Sequence, residues 1–357
     1  MRLVFFVLIA IVFLAFIRLT MVVAPAAGVF VKLEPTGLDQ CRRVDIAPGT
    51  EDVDIDPDNS LAYVSASDRR AWYQKNEPGL SAQNGIYALS LDGSDRVRRV
   101  TPADFTDFFA HGISLWRGTD GNKRLFAINH LPQSDGSVKE LVEIFDVEAD
   151  GALTHVKSVS FPEMYSPNDI VAVGPDAFYA TNDRRYDHGL MAQLELFLGL
   201  PLTGVVYWDG EQGRDVTGGL MYANGINKSA DGSKIYVAEF LAQAVRVYDR
   251  DVATGALTPV KTLKTGTGPD NLAVSEDGAI WIGGHPKAFD FAAHAEDPAA
   301  ISPSHVVRLD PETGERKDVL ISTNGEINGS SVGALWDKTL IVGAVFDGHV
   351  LVCEGAG

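Results

Sequence analysis

The feature that most constrains the fold of this chain is a pattern that recurs six times. Each copy is a turn containing Asp, Asn or Gly, followed by a short strand rich in aromatic and β-branched residues, and the copies begin at residues 56, 118, 174, 229, 275 and 334. A second pattern, an apolar strand, a turn and a further strand, alternates with the first; Asp-Gly and Thr-Gly pairs supply the positive φ angles of its tight turns. Four strands in each of six repeats, every roughly 50–60 residues, predict an all-β fold, a six-bladed β-propeller with a central tunnel.

The last repeat is incomplete, because its second pattern ends at Glu354 without a return strand. An open last blade would leave an unpaired strand edge, so we expect residues 41–46, ahead of the first repeat, to supply the missing outer strand. Cys41 would then lie beside Cys353. A disulfide between the two cysteines of the chain is expected if the protein is exported; two buried free thiols are the alternative.

The N-terminus differs from the repeats. Residues 3–17 are an unbroken apolar run flanked by Arg2 and Arg18, and a second, mostly apolar stretch follows. The run has the length of a signal-peptide core with a small-residue cleavage site at 24–26, whereas the combined stretch is long enough for a retained anchor helix. Both alternatives imply export, with a signal or anchor segment at 1–32, a catalytic propeller at 33–357, and membrane association if the segment is retained.

The charge balance limits the partners. The formal net charge is −18 and the isoelectric point is near 4.8, so binding to a nucleic-acid backbone, which needs clustered Lys and Arg, is not expected. We expect the partner to be a small molecule.

A polar residue precedes the apolar strand in every blade. Most of these positions lie seven residues ahead of the turn aspartate or its equivalent, and the second blade has its polar residue nine positions ahead. Because the innermost strand of each blade lines the tunnel of a propeller, equivalent positions should form a ring at one depth. The ring consists of Glu51 with Asp52, His111, Asn168 with Asp169, Asn224, Asp270 with Asn271, and Ser330 with Ser331.

Oxygen donors dominate this ring. Carboxylate and amide oxygens suit Ca²⁺, which takes six to eight oxygen ligands, whereas zinc prefers His and Cys. Glu51 and Asp270 would neutralise the ion. Asp52 and Asp169 follow ring residues by one position, and the two-residue period of a strand would direct them to a second, deeper cation.

Four segments carry a family resemblance: AHGIS from Ala110, NDIVAVGPDAFYATND from Asn168, ANGIN from Ala223 and SEDGAIWIGGHP from Ser275. With them, essentially the whole chain resembles the serum paraoxonase/arylesterase family. The resemblance implies a six-bladed propeller with two tunnel calcium ions and a calcium-dependent hydrolase that opens lactones and cleaves aryl esters, with possible activity on organophosphates.

The resemblance also implies roles for particular residues. The ligands of the catalytic calcium would be Glu51, Asn168, Asn224, Asp270 and Asn271; those of the structural calcium would be Asp52, Asp169 and the main-chain carbonyl of Ile113; the catalytic histidines would be His111 and His130; and His285 would lie in the active-site wall. Arg184 stands where mammalian relatives commonly have histidine, Gly284 stands where they have a third cysteine, and the loop at 68–78 also differs, so the preferred substrate stays open.

Residues 189–200 form an apolar insertion that no blade repeat covers, and they predict an amphipathic helix. We expect it at the tunnel mouth with substrate-binding aromatic residues on neighbouring loops, where it would contact acyl chains or a membrane surface; simple packing on the blades is the alternative. These aromatic residues are Trp72, Tyr73, Phe289 and Phe291. Because fold does not settle function, a non-catalytic calcium-stabilised binding propeller and a sugar lactonase are the rival interpretations.

Overall fold

The structure, a computed structural model, describes residues 2–71 and 82–356, so the predicted substrate-binding residues Trp72 and Tyr73 lie outside the described residues. Within the described part, twenty-four strands form six four-stranded antiparallel sheets. The sheets are the blades of a six-bladed β-propeller, as the repeats predict. Five blades are built from consecutive strands, and the sixth combines the two ends of the chain.

The strands follow each other outward from the tunnel in each blade. The chain begins with β1 (Cys41–Asp45), and blade 1 is β2 (Thr50–Asp56), β3 (Leu61–Ala66), β4 (Gly85–Ser90) and β5 (Val97–Arg99). Blade 2 is β6 (Ala110–Arg117), β7 (Lys123–Pro132), β8 (Val138–Val147) and β9 (Leu153–Val159). Blade 3 is β10 (Pro167–Gly174), β11 (Ala177–Asn182), β12 (Thr203–Trp208) and β13 (Gly213–Leu220).

The remaining blades repeat the pattern. Blade 4 is β14 (Ala223–Lys228), β15 (Lys234–Glu239), β16 (Ala244–Arg250) and β17 (Leu257–Lys264). Blade 5 is β18 (Gly268–Val274), β19 (Ile280–His285), β20 (Ser304–Leu309) and β21 (Arg316–Ser322). Blade 6 is β22 (Ser330–Trp336), β23 (Thr339–Ala344) and β24 (His349–Glu354), with β1 as its outer strand.

The hydrophobic core lies between neighbouring blades. Phe126 and Ile128 of blade 2, for example, pack with Phe178 and Ala180 of blade 3. The second strand of a blade has a neighbour on both faces, and every residue of Leu61–Ala66 is therefore buried. This is why these strands read as continuous apolar runs rather than as alternating ones.

The ring of blades is closed by both ends of the chain. β1 pairs antiparallel with β24, and Cys41 lies directly opposite Cys353 in the register. The two cysteines form a disulfide across 312 residues of sequence. The predicted outer strand and the predicted disulfide are both confirmed.

An apolar helix precedes the propeller. It spans Arg2–Arg18, continues as a π-helical turn at Leu19–Val23 and ends with a short helix at Ala24–Ala26. No helix in the described part of the chain is long and apolar enough to span a membrane. This segment contacts the helical insertion of blade 3, where the Arg18 guanidinium donates a hydrogen bond to the carbonyl of Gly199 at 3.2 Å.

Two further helices are inserted between strands. The insertion after blade 3's second strand is helical at Gly189–Leu198, as predicted, and ends at Gly199, whose φ of 56° is left-handed. The Glu195 carboxylate accepts hydrogen bonds from the backbone of Arg185 and thereby holds the helix against the preceding loop. The second helix, Ala288–Glu296, carries both Phe289 and Phe291, so the expectation that these two residues lie on loops is wrong.

Candidate functional site

The innermost strands of all six blades break their register at the same point. The breaks lie between Thr50 and Asp52, Ala110 and Ile113, Pro167 and Ile170, Ala223 and Ile226, Pro269 and Leu272, and Ser330 and Val332. Every predicted ring position falls in or beside one of these breaks. A bulge interrupts the alternation of side chains and re-aims them, so the simple two-residue period assumed for Asp52 and Asp169 does not continue through these points.

Glycines let the inner strands approach each other closely. A methyl group on Gly112 of blade 2 would lie 2.5 Å from Asp169 Oδ1 of blade 3, and one on Gly225 of blade 4 would lie 2.3 Å from the carbonyl oxygen of Asp270 of blade 5. Neither distance is compatible with a side chain. The glycines of the AHGIS and ANGIN segments therefore bring the ring residues of neighbouring blades together.

Glu51 of blade 1 is connected to three other blades, and its side chain is 1% exposed. Asn271 Nδ2 of blade 5 donates a hydrogen bond to Glu51 Oε1 at 2.7 Å, and His111 Nε2 of blade 2 lies 3.7 Å from the same oxygen. A guanidinium nitrogen of Arg69 lies 3.7 Å from Glu51 Oε2. The hydroxyl of Ser331, in blade 6, donates to the Glu51 carbonyl. Three residues of the predicted ring, from blades 2, 5 and 6, therefore lie beside Glu51.

Four buried oxygens in this group have no hydrogen-bond partner among the residues that the structure describes. They are Glu51 Oε2, Asn168 Oδ1, Asn224 Oδ1 and Asn271 Oδ1. A buried polar atom left without a partner costs about 1–3 kcal/mol of stability. Four such oxygens on the innermost strands therefore indicate a bound group that interacts with oxygen atoms. These atoms come from four of the five residues that the resemblance implies for the catalytic calcium, and they suit a hard cation.

The fifth, Asp270, is held in place by a histidine. His285 Nε2 lies 2.8 Å from Asp270 Oδ2, and both side chains are almost completely buried. The ring of Phe291 stacks on His285 with centroids 3.9 Å apart. Phe289, two residues earlier in the same helix as Phe291, is 57% exposed. Phe291 therefore packs on the histidine that contacts Asp270, whereas Phe289 lies on the surface of the same helix.

Asp52 and Asp169 connect neighbouring blades. Asp52 Oδ2 accepts the backbone N–H of Ile113 at 2.8 Å, and Asp169 Oδ2 accepts the backbone N–H of Ile226 at 2.6 Å. Burial raises the pKa of Asp52 to about 7 and that of Asp169 well above its usual value, with neighbouring carboxylates adding to both. Burial likewise raises the pKa of Glu51 well above normal. A bound cation would stabilise the ionised forms of these carboxylates and so offset the cost of burying their charges.

Within the described ranges, no group of three or more His, Cys, Asp or Glu side chains has the arrangement of a metal site. The possible metal-binding oxygens of this centre are instead carboxylate oxygens together with the amide oxygens of Asn168, Asn224 and Asn271. Such a mixed set is characteristic of calcium ligation and unlike that of zinc.

The two predicted catalytic histidines are hydrogen-bonded to each other. His111 Nδ1 lies 2.7 Å from His130 Nε2, and His130 Nδ1 lies 2.5 Å from Glu140 Oε2. Burial lowers the pKa of His111 well below its usual value, and the positive charges of Arg69 and Arg184 lower it further. His111 is consequently neutral at neutral pH and able to accept a proton.

Three residues of the site escape sequence reasoning. Asp183 is buried and accepts hydrogen bonds from Ser166 Oγ at 2.6 Å and from Asn168 Nδ2 at 3.4 Å, so it orients a ring asparagine. Its position at the end of β11, inside a segment that carries the family resemblance, could have indicated it. Arg69 and Glu140 follow no repeat, and nothing in the sequence pattern distinguishes them.

Fold and centre together define a six-bladed propeller with a buried, oxygen-rich polar centre on its axis and a histidine pair beside it. The model of the Arylesterase family matches residues 33–354, and the chain belongs to this family. The resemblance recognised from the four segments is thereby confirmed.

Sequence relatives cover nearly the whole chain. It is 35% identical to serum paraoxonase/arylesterase 2 of Gallus gallus over 333 residues, 90% of this chain and 91% of that protein. It is 33% identical to serum paraoxonase/arylesterase 1 of Homo sapiens over 335 residues, again 90% and 91% of the two chains.

Solved structures share the fold at low identity. A luciferin-regenerating enzyme superposes with a TM-score of 0.56 at 13% identity, covering 91% of this chain and 96% of its own. Regucalcin from Agrobacterium tumefaciens, a calcium-binding protein, gives a TM-score of 0.50 at 15% identity over 88% and 94%. These likenesses concern the fold alone.

Proposed function

We propose that this chain is a calcium-dependent hydrolase that opens lactones and cleaves aryl esters at the mouth of the propeller tunnel. The observation that carries the proposal is the position of Glu51, which lies between a set of partnerless buried oxygens and the His111–His130 pair. Membership of the arylesterase family supports a hydrolase of this kind. The calcium requirement and the lactone substrate are the finer parts of the proposal.

The residues fit a calcium ion. Glu51, Asn168, Asn224, Asp270 and Asn271 would hold a catalytic ion, and Asp52, Asp169 and the carbonyl of Ile113 would hold a second, structural one. When bound, the catalytic ion supplies a positive charge that polarises the substrate carbonyl and stabilises the developing oxyanion.

The side chains of the chain itself supply the remaining chemistry. His111 Nε2, which faces Glu51, would remove the proton from the attacking water, and His130 would hold the His111 ring in place. His285 keeps Asp270 oriented, while the stacked ring of Phe291 forms an apolar wall for the acyl or aryl part of the substrate. Glu51 and Asp270 are the rival bases.

The location of the protein is part of the proposal. A disulfide that joins both ends of the propeller indicates an oxidising compartment. The N-terminal helix exposes large apolar side chains: Phe6 is 64% exposed, Phe13 61% and Met21 74%. Such an apolar surface supports association with a membrane surface through residues 1–32 in the exported protein.

A hydrolysis panel tests the proposal directly. The purified chain is assayed with aliphatic lactones, phenyl acetate and an organophosphate triester, each with calcium and with excess chelator. We expect turnover of lactones and of phenyl acetate that chelator abolishes and added calcium restores. Turnover that persists in chelator contradicts the calcium requirement; no turnover of any substrate, with calcium binding intact, favours a non-catalytic binding propeller.

Two variants separate the roles of the residues. Asp270→Ala should abolish hydrolysis and remove the stabilisation that calcium gives in thermal unfolding. His111→Gln should lower turnover about 10²-fold or more, the usual contribution of a general base, while leaving that stabilisation intact. An unchanged rate in His111→Gln would move the base to one of the two carboxylates.

A further inference from the structure

The hairpin formed by β7 and β8 carries a carboxylate beside the histidine pair. Both strands are ten residues long, and their register places His130 directly opposite Glu140. Side chains directly opposite each other in an antiparallel pair lie on the same face and can interact. The interaction here is the 2.5 Å contact between His130 Nδ1 and Glu140 Oε2. Both side chains are largely buried, at 14% and 17% exposure, so water does not readily replace it.

The hydrogen bonds that link Glu140 to His130 and His130 to His111 each have a defined donor and acceptor. An ionised carboxylate only accepts hydrogen bonds, so the proton of this contact is on His130 Nδ1. His130 Nε2 then carries a lone pair and accepts the N–H of His111 Nδ1 across 2.7 Å. The other nitrogen of His111, Nε2, is left without a proton, and this is the nitrogen that faces Glu51 at 3.7 Å.

We propose that Glu140 is a positioning residue that sets the tautomers of both histidines, so that His111 presents an unprotonated Nε2 to the catalytic centre. The proposal rests on the hydrolase function proposed above, in which that nitrogen takes the proton of water. Without an acceptor at position 140, His130 can turn its donor towards His111. The His111 Nε2 would then carry the proton itself and could not act as a base.

The effect on catalysis should appear in turnover. Removing a partner that orients a catalytic group typically costs about 10- to 100-fold in activity. We expect Glu140→Ala to lower kcat by about this factor and to leave KM within about twofold, since Glu140 does not touch the substrate. The same substitution in a His130→Gln background should have little further effect, because the connection is already broken.

A matched control lies in the same hairpin. Asp135 is exposed at the turn, where its carboxylate accepts hydrogen bonds from the backbone and hydroxyl of Ser137. Asp135→Asn removes a carboxylate from the hairpin without touching the histidines, and we expect unchanged kcat. If Asp135→Asn and Glu140→Ala are equally impaired, the hairpin matters only as a scaffold and the positioning role is wrong.

The tautomers can be read without any assay of activity. In the calcium-loaded full chain with ¹⁵N-labelled histidine, NMR should show both His111 and His130 protonated at Nδ1. Glu140→Ala should shift the proton of His130, and with it that of His111, to Nε2. A wild-type His111 protonated at Nε2, or tautomers that do not respond to Glu140→Ala, would overturn the proposal. If the chain hydrolyses nothing in the panel but the tautomers shift, the hydrolase function fails while the positioning role holds.

Discussion

Without a bound cation, the buried carboxylate of Asp52 should make the stability of the protein depend on pH. Asp52 is 5% exposed, and burial raises its pKa from 3.8 to about 7. A folded-state pKa above the unfolded one means that the unfolded chain releases a proton that the folded chain keeps. Folding stability is therefore lost as the pH rises from about 4 to 7.

The variant Asp52→Asn, studied in excess chelator, removes this carboxylate. Because one pKa unit corresponds to 1.36 kcal/mol, the shift of Asp52 costs the folded protein about 4 kcal/mol above pH 7, and about 3 kcal/mol of this develops between pH 4.5 and 7.5. The asparagine forfeits one of the two backbone hydrogen bonds that Asp52 accepts, but that loss does not depend on pH. The change of the difference with pH therefore reports the Asp52 carboxylate, together with the effect of its charge in raising the pKa of Asp169 and of Glu51.

The assay is urea unfolding followed by tryptophan fluorescence, at pH 4.5 and 7.5, for both proteins. We expect the free energy of unfolding of the variant, relative to wild type, to rise by about 3 kcal/mol between the two pH values. The lowered pKa of His111 makes wild-type stability change in the opposite direction near pH 6, but this contribution is common to both proteins and cancels. In excess chelator at pH 7.5 we expect the variant to be the more stable protein. In millimolar calcium we expect the wild type to be the more stable one, because the variant lacks a calcium ligand.

A relative stability that is the same at both pH values would show that Asp52 is ionised in the folded protein even without a cation. A wild type that remains the less stable protein in calcium would show that Asp52 does not contribute to ion binding.

The remaining predictions concern the scaffold. Replacing Cys41 and Cys353 by alanine should lower the free energy of unfolding by about 2–5 kcal/mol, which thermal unfolding under non-reducing conditions measures; wild-type stability in the double variant would show that strand pairing alone closes the ring. Gly112→Ala should cost about 1–3 kcal/mol and weaken calcium binding in titration calorimetry, because the methyl group meets Asp169. Gly218→Ala, whose methyl group has its nearest neighbour 3.9 Å away, is the control; equal losses in both would contradict the argument from close approach.

The architecture could be predicted from the sequence because the signals are local and repeated. Turn residues and apolar strands recur in each blade, and the unfinished last repeat together with Cys41 and Cys353 indicates how the ring closes. The ring that includes Glu51, Asn168 and Asp270 could be predicted for the same reason. Because the blades are related by pseudo-symmetry, equivalent positions of the repeat lie at the same depth in the tunnel.

Contacts that depart from this symmetry were decided by the tertiary structure alone. Arg69 reaches Glu51 from a segment between strands, and His285 reaches Asp270 from the far end of β19. Glu140 meets His130 only because the register of one hairpin places them opposite each other. A strand shifted by one residue would turn that carboxylate to the other face, and no repeat records the register.

The repeats alone therefore indicate which residues lie on the innermost strands, because equivalent positions of a repeat form a symmetric ring. The tertiary structure decided which atoms in that ring are left without partners and which nitrogen of His111 faces Glu51. Those properties depend on side-chain directions at the bulges and on contacts between residues that are far apart in the sequence. A hydrogen bond, unlike a hydrophobic period, is defined only when both partners and their neighbours are in place.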